Sequence, residues 1–260
     1  TGKNVMSADL IELSEYLQQC LQPERFEDYC PNGLQVEGRP RVTRLATGVT
    51  ACQRFLDDAI QWGADAVLVH HGYFWRGEAL QIVGMKRRRL AALLVNDVSL
   101  FAYHLPLDAH PQLGNNACLG RLMGFEPASQ EPLRPQSPAG VGNVGNLPQA
   151  VPAGYLVGKL AQITGRRPLH VGEPDALVRR VAWCTGAAQD YISAAVTAGA
   201  DLFVTGEVSE QTVHIAREEG IQFIAAGHHA TERYGVQAVG EHVAAHFSLQ
   251  HRFFDIDNPV

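Results

Sequence analysis

Val42–Asp65 can be written over Val178–Asp201 without a gap. The pairs Val42/Val178, Arg44/Arg180, Ala46/Ala182, Ala51/Ala187, Gln53/Gln189, Ala59/Ala195, Gly63/Gly199, Ala64/Ala200 and Asp65/Asp201 are identical. Both copies read strand, helix, Gly-Ala-Asp, strand, as expected when one supersecondary unit is used twice. A second echo lays Val98–Tyr103 over Gln222–Gly227 and sets His104-x-x-x-Asp108 opposite His228-x-x-x-Glu232. The repeat predicts an α/β protein of two similar, diverged halves with mainly parallel sheets. It also predicts a metal site between the halves at strand carboxyl ends, where open sheets bind their ligands.

The strongest ligand signal within the first copy is ADAVLVHHG, Ala64–Gly72. A short apolar run ending on His70 and His71 reads as an inner parallel strand that delivers two ligands at its end. Neighbouring side chains on a regular strand point to opposite faces. An adjacent pair therefore suggests one ion for each ring, unless the backbone turns at Gly72. In the repeat register His70 and His71 fall opposite Gly206 and Glu207.

The order of elements follows from local signals. Ser7 is placed to cap a helix running to Cys20. Tyr29–Gly38 reads as a turn on Pro31-Asn32-Gly33. Leu45–Val49 is a strand, and Ala51–Trp62 a helix closed by Gly63. Lys86–Arg89 opens a further helix with a solvated basic face, and Tyr73, Phe74 and Trp75 are set either to wall a pocket or to pack. Pro and Gly concentrate between Pro127 and Pro152, read as a long loop that divides residues 1–126 from residues 153–260. Gly140–Gly145 matches G-x-G-x-x-G, but with no strand expected before it and Pro148 and Pro152 after it, it is not read as a dinucleotide fingerprint. Ala153–Thr164 is expected to be a helix, Leu202–Thr205 a strand, Ser209 a cap for a helix to Glu219, and Gln222–Ala226 a strand. His228 and Glu232 then share one face of a helix. His242 and His246 are also four apart, but Val243 stands where a zincin glutamate would, so a solvated helix face is expected; His170, His214 and His251 stand alone. Neither G-x-S-x-G nor G-x-x-x-x-G-K-[ST] occurs, which leaves no foothold for a serine hydrolase or a P-loop.

Composition narrows the class further. With 260 residues, 46% hydrophobic and 18% charged, the chain has the make-up of an ordinary globular protein. A net charge of −6 disfavours nonspecific polyanion binding. Five cysteines are scattered without a C-x-x-C, as in reduced cytosolic proteins. No apolar run approaches the ~20 residues of a membrane span, and no signal peptide is read before Ser7, so a cytoplasmic protein with no membrane partner is expected. Thr1 is not an initiator methionine, and residues 1–6 are read either as a remnant of processing or as residues added for expression.

The segments PNGLQVEG (Pro31–Gly38), HHGYFW (His70–Trp75), HLPLDAH (His104–His110), GNN (Gly114–Asn116), TGEVSEQ (Thr205–Gln211) and GHHATER (Gly227–Arg233) resemble the YbgI-like family, the GTP cyclohydrolase I type 2 homologues. The resemblance covers nearly the whole chain. It implies a dinuclear centre of two divalent ions on His70, His71, Asp108, His228 and Glu232. One ion would take His71, Asp108 and Glu232, and the other His70, His228 and Glu232, with Glu232 bridging. It also implies a ring-shaped homohexamer.

Such a ligand set suits Zn, Mn, Fe, Co or Ni. Its residual positive charge favours an anionic substrate oxygen and a metal-activated hydroxide. The expected function is a dinuclear metal-dependent hydrolase, GTP cyclohydrolase-like, acting on a nucleotide or related phosphorylated metabolite. His104 and Glu207, the repeat partners of ligands, are candidates for catalytic roles as general acid or as support for the ligands. The competing expectation is a non-catalytic metal-binding assembly that stores, senses or delivers ions or scaffolds partners. Nucleic acid is the weaker alternative partner.

Overall fold

The computed structural model describes residues 6–127, 132–133 and 141–260. The chain divides into two compact units, residues 1–107 with 235–257, and residues 108–234 with 258–260. The division therefore falls at Leu107/Asp108, earlier than the composition shift near residue 126, and Gly235–Asp257 returns to the first unit.

The first unit carries a five-stranded sheet in the order Gln250–Phe253, Arg44–Thr50, Ala66–His71, Ser99–Ala102, Gly33–Val36. All neighbours are parallel except the last pair. The inner strands read as continuous apolar runs because both of their faces are covered. Val67, Val69, Leu100 and Ala102 pack with Phe55 and Leu56 of the helix Gln53–Trp62 in one buried cluster. Gly63 ends that helix at φ 81, as expected of a left-handed closing residue.

The second unit carries six strands in the order Glu126–Pro127, Asn143–Pro152, Leu177–Trp183, Leu202–Thr205, Gln222–Ala225, Leu169–Val171. Its three consecutive strands from Leu177 to Ala225 are parallel, and the flanking ones antiparallel. Trp183, Val181, Val204, Leu156 and Leu119 form its core.

The duplication is visible in the hydrogen bonds of each unit. Asp65 Oδ2 accepts from the amides of Thr43 and Arg44 at 2.8 and 3.0 Å, and Asp201 Oδ2 accepts from Arg179 and Arg180 at 2.9 and 2.8 Å. Each aspartate amide donates in turn to the carbonyl of Arg44 or Arg180. The Gly-Ala-Asp of the repeat is thus a helix stop followed by a carboxylate clamp on the neighbouring strand.

Three local expectations are corrected. The first helix spans Leu10–Leu21 and is capped by Asp9, whose Oδ1 accepts from Ile11 N at 2.9 Å. Ser7 cannot cap it, because Ala8–Asp9 pair with Arg41–Val42 and Ser7 Oγ instead accepts from Arg41. The segment after Pro31-Asn32-Gly33 is an edge strand, Gly33–Val36, rather than a continued turn.

The Pro/Gly-rich stretch is also not all loop. Asn143–Pro152 is a strand that the helix Ala153–Thr164 follows at once, with Pro152 in the capping position. Pro148 is tolerated because the register shifts there: Arg180 pairs with Asn146, but Val178 pairs with Val151. Residues 128–131 and 134–140, including Gly140 of the glycine run, lie outside the described residues, as do residues 1–5. Among the described residues no helix is long and apolar enough to cross a membrane.

The remaining histidines have structural partners. Tyr16 stacks on His246 at 4.1 Å between centroids, and its hydroxyl is 2.7 Å from His242 Nε2; both histidines are exposed, as expected of a solvated helix face. His251 Nε2 lies 2.8 Å from Thr47 Oγ1, where a side chain at Gly240 would collide with it. Burial pulls the His251 pKa from 6.5 down to about 4. In the unfolded chain this ring takes up its proton near pH 6.5, while in the native chain it stays neutral to about pH 4. Its stabilising contribution is therefore full above pH 6.5 and is lost as pH falls through 4. Urea titrations at a series of pH values should show a steeper loss of stability over that window in the wild type than in His251→Gln.

Candidate metal centre

In the first unit, the strand Ala66–His71 ends on the two histidines. Despite the alternation of a regular strand, their ring centroids are 4.5 Å apart. The chain leaves the strand at Gly72, where a Cβ would meet Gln35 Oε1 and lie 2.5 Å from Ala102 Cβ. Gln35 then clamps the backbone of Tyr73, accepting from its amide at 2.8 Å and donating to its carbonyl at 3.0 Å. Two motifs distant in sequence, PNGLQVEG and HHGYFW, are therefore parts of one construction.

His70 is fully buried and its Nδ1–H donates to Tyr103 O at 3.0 Å. His71 Nδ1 is 3.2 Å from Thr50 Oγ1. His104, at the end of the neighbouring strand, donates its Nδ1–H to Asp28 Oδ1 at 2.7 Å. One ligand-type atom from each of His70, His71 and His104 lies within 4.8 Å of the others. Trp75 meets the His104 ring edge-on at 5.0 Å, so at least one of the consecutive aromatics lines this cluster.

The second unit has an acidic cluster of its own. Asp108, in the short helix Leu105–Ala109, is buried, and its Oδ1 accepts from Asn115 Nδ2 at 2.9 Å and Thr185 Oγ1 at 3.3 Å. Asn116 adds a bond to the Asp108 carbonyl and accepts from Thr185 N, which accounts for the GNN motif. The helix His228–Thr231 starts directly after the strand Gln222–Ala225 and Gly227. Glu232, just past its end, is 3% exposed, with Oε2 3.1 Å from His228 Nε2. On the other side of that ring, His228 Nδ1–H donates to Glu207 Oε1 at 2.6 Å.

These partners decide the local charge. Burial lowers the pKa of His228, but the hydrogen bonds and charges of Glu232 and Glu207 outweigh it and raise it to about 9. In the absence of another cation the ring itself carries the positive charge that the two carboxylates require. Cys184 is fully buried beside Asp108 and Glu232, and burial first, then both carboxylates, push its thiol well up.

In each unit taken by itself the donors suit a divalent cation. His70, His104 and His228 each commit Nδ1–H to an oxygen acceptor, and His71 Nδ1 is matched to a hydroxyl. This is the outer support that fixes ring orientation in metal-binding histidines and leaves Nε2 to bind. Asp108 and Glu232 supply hard, buried oxygens.

A profile of the Duf34/NIF3 (NGG1p interacting factor 3) family matches residues 8–259. The chain belongs to the Duf34/NIF3 family. This Duf34/NIF3 chain is 54% identical over 257 residues to a GTP cyclohydrolase 1 type 2 homolog of Pseudomonas aeruginosa, covering 98% of this chain and 100% of that one. The Escherichia coli (strain K12) protein of the same name is 50% identical over 251 residues, covering 96% of this chain and 98% of that one. A solved structure described as protein ybgI, of unknown function, superposes with a TM-score of 0.92 at 48% identity, covering 97% of this chain and 100% of that one.

Sequence spacing missed several residues of this Duf34/NIF3 centre. Asp28 precedes its histidine by 76 residues, so no short motif links them. Gly186, the repeat partner of Thr50, has φ 72, and a Cβ there would collide with Glu232 Oε1 and lie 3.3 Å from His228 Nε2. Its amide donates to Thr231 Oγ1 at 3.1 Å, and its carbonyl accepts from Thr205 Oγ1 at 3.1 Å.

Proposed function

We propose that this Duf34/NIF3 protein is a dinuclear metal-dependent hydrolase, GTP cyclohydrolase-like, acting on a nucleotide or related phosphorylated metabolite. On this reading His71, Asp108 and Glu232 would hold one ion, and His70, His228 and Glu232 the other. The observation that carries the reading is the support of the imidazoles: His70 on Tyr103 O, His71 on Thr50 and His228 on Glu207, each through Nδ1. Zn, Mn, Fe, Co and Ni all suit such ligands. When bound, the ions supply Lewis acidity towards a substrate oxygen and bring the pKa of water towards ~7.

The chain's own residues do the rest. Glu207 holds the Nδ1 proton of His228 and so fixes which nitrogen faces Glu232. Asn115 and Thr185 hold Asp108 in one orientation. Two carboxylates against two divalent cations leave net positive charge, which attracts an anionic substrate. The name shared by the relatives makes guanine nucleotides the first substrates to try. The resemblance that suggested the ligands also supports a ring-shaped homohexamer, and the five scattered cysteines support a cytoplasmic setting.

The test is turnover of a nucleotide panel by protein loaded with each metal in turn. Activity should require added metal and fall at least ~100-fold in His70→Ala and in Glu232→Ala. Equal activity in these variants would mark a contaminant and overturn the reading. Tight metal binding with no turnover on any nucleotide would replace the hydrolase with an ion-storing or ion-delivering assembly.

A further inference from the structure

We propose that His104 is a metal ligand in its own right, a third imidazole beside His70 and His71, and that Asp28 is the residue that positions it. The proposal rests on the metal reading above but concerns a residue outside its five ligands. Three observations carry it.

The first is proximity: His104 offers a ligand-type atom within 4.8 Å of those of both His70 and His71, and its ring centroid lies 5.1 Å from that of His70. The second is the strength of its support. The Asp28 side chain is 3% exposed and takes four hydrogen bonds: Tyr29 N at 2.6 Å, Asn32 Nδ2 at 2.9 Å, Leu105 N at 2.9 Å and His104 Nδ1 at 2.7 Å. A buried carboxylate donated to by an imidazole Nδ1–H is the arrangement that sets a metal-binding histidine to bind through Nε2. The third is that the backbone is fixed as well, since His104 N donates to Asn32 Oδ1 at 2.7 Å. Asn32 therefore ties both members of the pair, which gives the Pro31-Asn32-Gly33 turn a reason to sit where it does.

A second grouping, Asp28, Cys30 and His104, also has ligand-type atoms within 4.8 Å of one another. It fits a cation less well. Burial and then the Asp28 charge push the Cys30 thiol up to about 12, which opposes the thiolate a metal needs, and Asp28 is already committed to His104. The three-imidazole grouping requires neither an ionised thiol nor a broken hydrogen bond.

The experiment uses the full chain labelled with [15N]histidine and loaded with 113Cd2+. His104 is assigned by the resonance that shifts in Asp28→Asn and is absent in His104→Gln. One-bond 15N–113Cd splitting is expected at Nε2 of His104 as well as of His70 and His71, and Asp28→Asn should weaken Cd2+ binding about 10–100-fold. Splitting at His70 without splitting at His104 overturns the proposal and leaves the five-ligand reading intact. Splitting at none of these rings overturns that reading too. Should His104→Gln fail to fold, wild type and Asp28→Asn suffice, because the splitting is read in the wild-type protein.

Discussion

Replacing Glu232 by alanine is expected to weaken divalent-metal binding by about 100-fold or more, and to lower the stability of the metal-free fold as well because His228 loses its buried partner. The two halves of this result come from one fact. Glu232 is 3% exposed, and so it is a carboxylate removed from water. An ion in that position costs several kcal/mol of hydration unless a cation of good geometry offsets it. In the metal-free chain His228, with its pKa raised to about 9, performs that service at 3.1 Å. A divalent ion does so more strongly, which is why loss should appear in binding as well. Loss of an outer supporting group costs ~10–100-fold in affinity, and loss of a shared ligand should exceed this. At a metal concentration 100 times the wild-type dissociation constant, ~2.7 kcal/mol of ligand-linked stability should disappear. Metal content after dialysis, with melting curves in the presence and absence of metal, measures both halves. Wild-type metal content in the variant would remove Glu232 from the site.

Gly186→Ala is expected to lower stability by about 2–4 kcal/mol and to disrupt metal binding together with it. Two costs add at this position. A non-glycine residue at φ 72 carries backbone strain of ~1–3 kcal/mol. The new methyl also lies on Glu232 Oε1, so the carboxylate, which is packed on every side, has to move. Gly199→Ala separates the two contributions: Gly199 has a similar φ of 67, but a Cβ there meets nothing within 4 Å. The Gly199 variant should lose only the backbone share and keep its metal. Chemical denaturation with metal analysis of both variants makes the comparison, and equal losses would mean that Glu232 gives way freely.

These two positions illustrate what could be read in advance. The repeat fixed the order strand, helix, Gly-Ala-Asp, strand in both units because each part has a local cause: an apolar run, a glycine that closes the helix, an aspartate that accepts two amides. The placing of His70 and His71 at a strand end, and of His228 just after one, was legible because apolar runs precede them. Asp28 and Gly186 were not, since their roles depend on chain separated by 76 residues in one case and 46 in the other. The cap falls on Asp9 and not on Ser7 because of the pairing of Ala8–Asp9 with Arg41–Val42, which is non-local and leaves no mark on local spacing. Asn143–Pro152 was hidden by its two prolines, which are tolerated only because a register shift on the partner strand accommodates Pro148.

The strand Gln250–Phe253 closes one edge of the first unit by pairing with Arg44–Thr50. It is translated only after everything from Asp108 to Tyr234. During synthesis the second unit's sheet can thus be assembled first, with the earlier sheet waiting at the ribosome with a bare flank along Arg44–Thr50. Nascent first units carry a transient liability to pair with foreign strands, and the time taken to translate from Asp108 to Phe253 sets how long that exposure lasts.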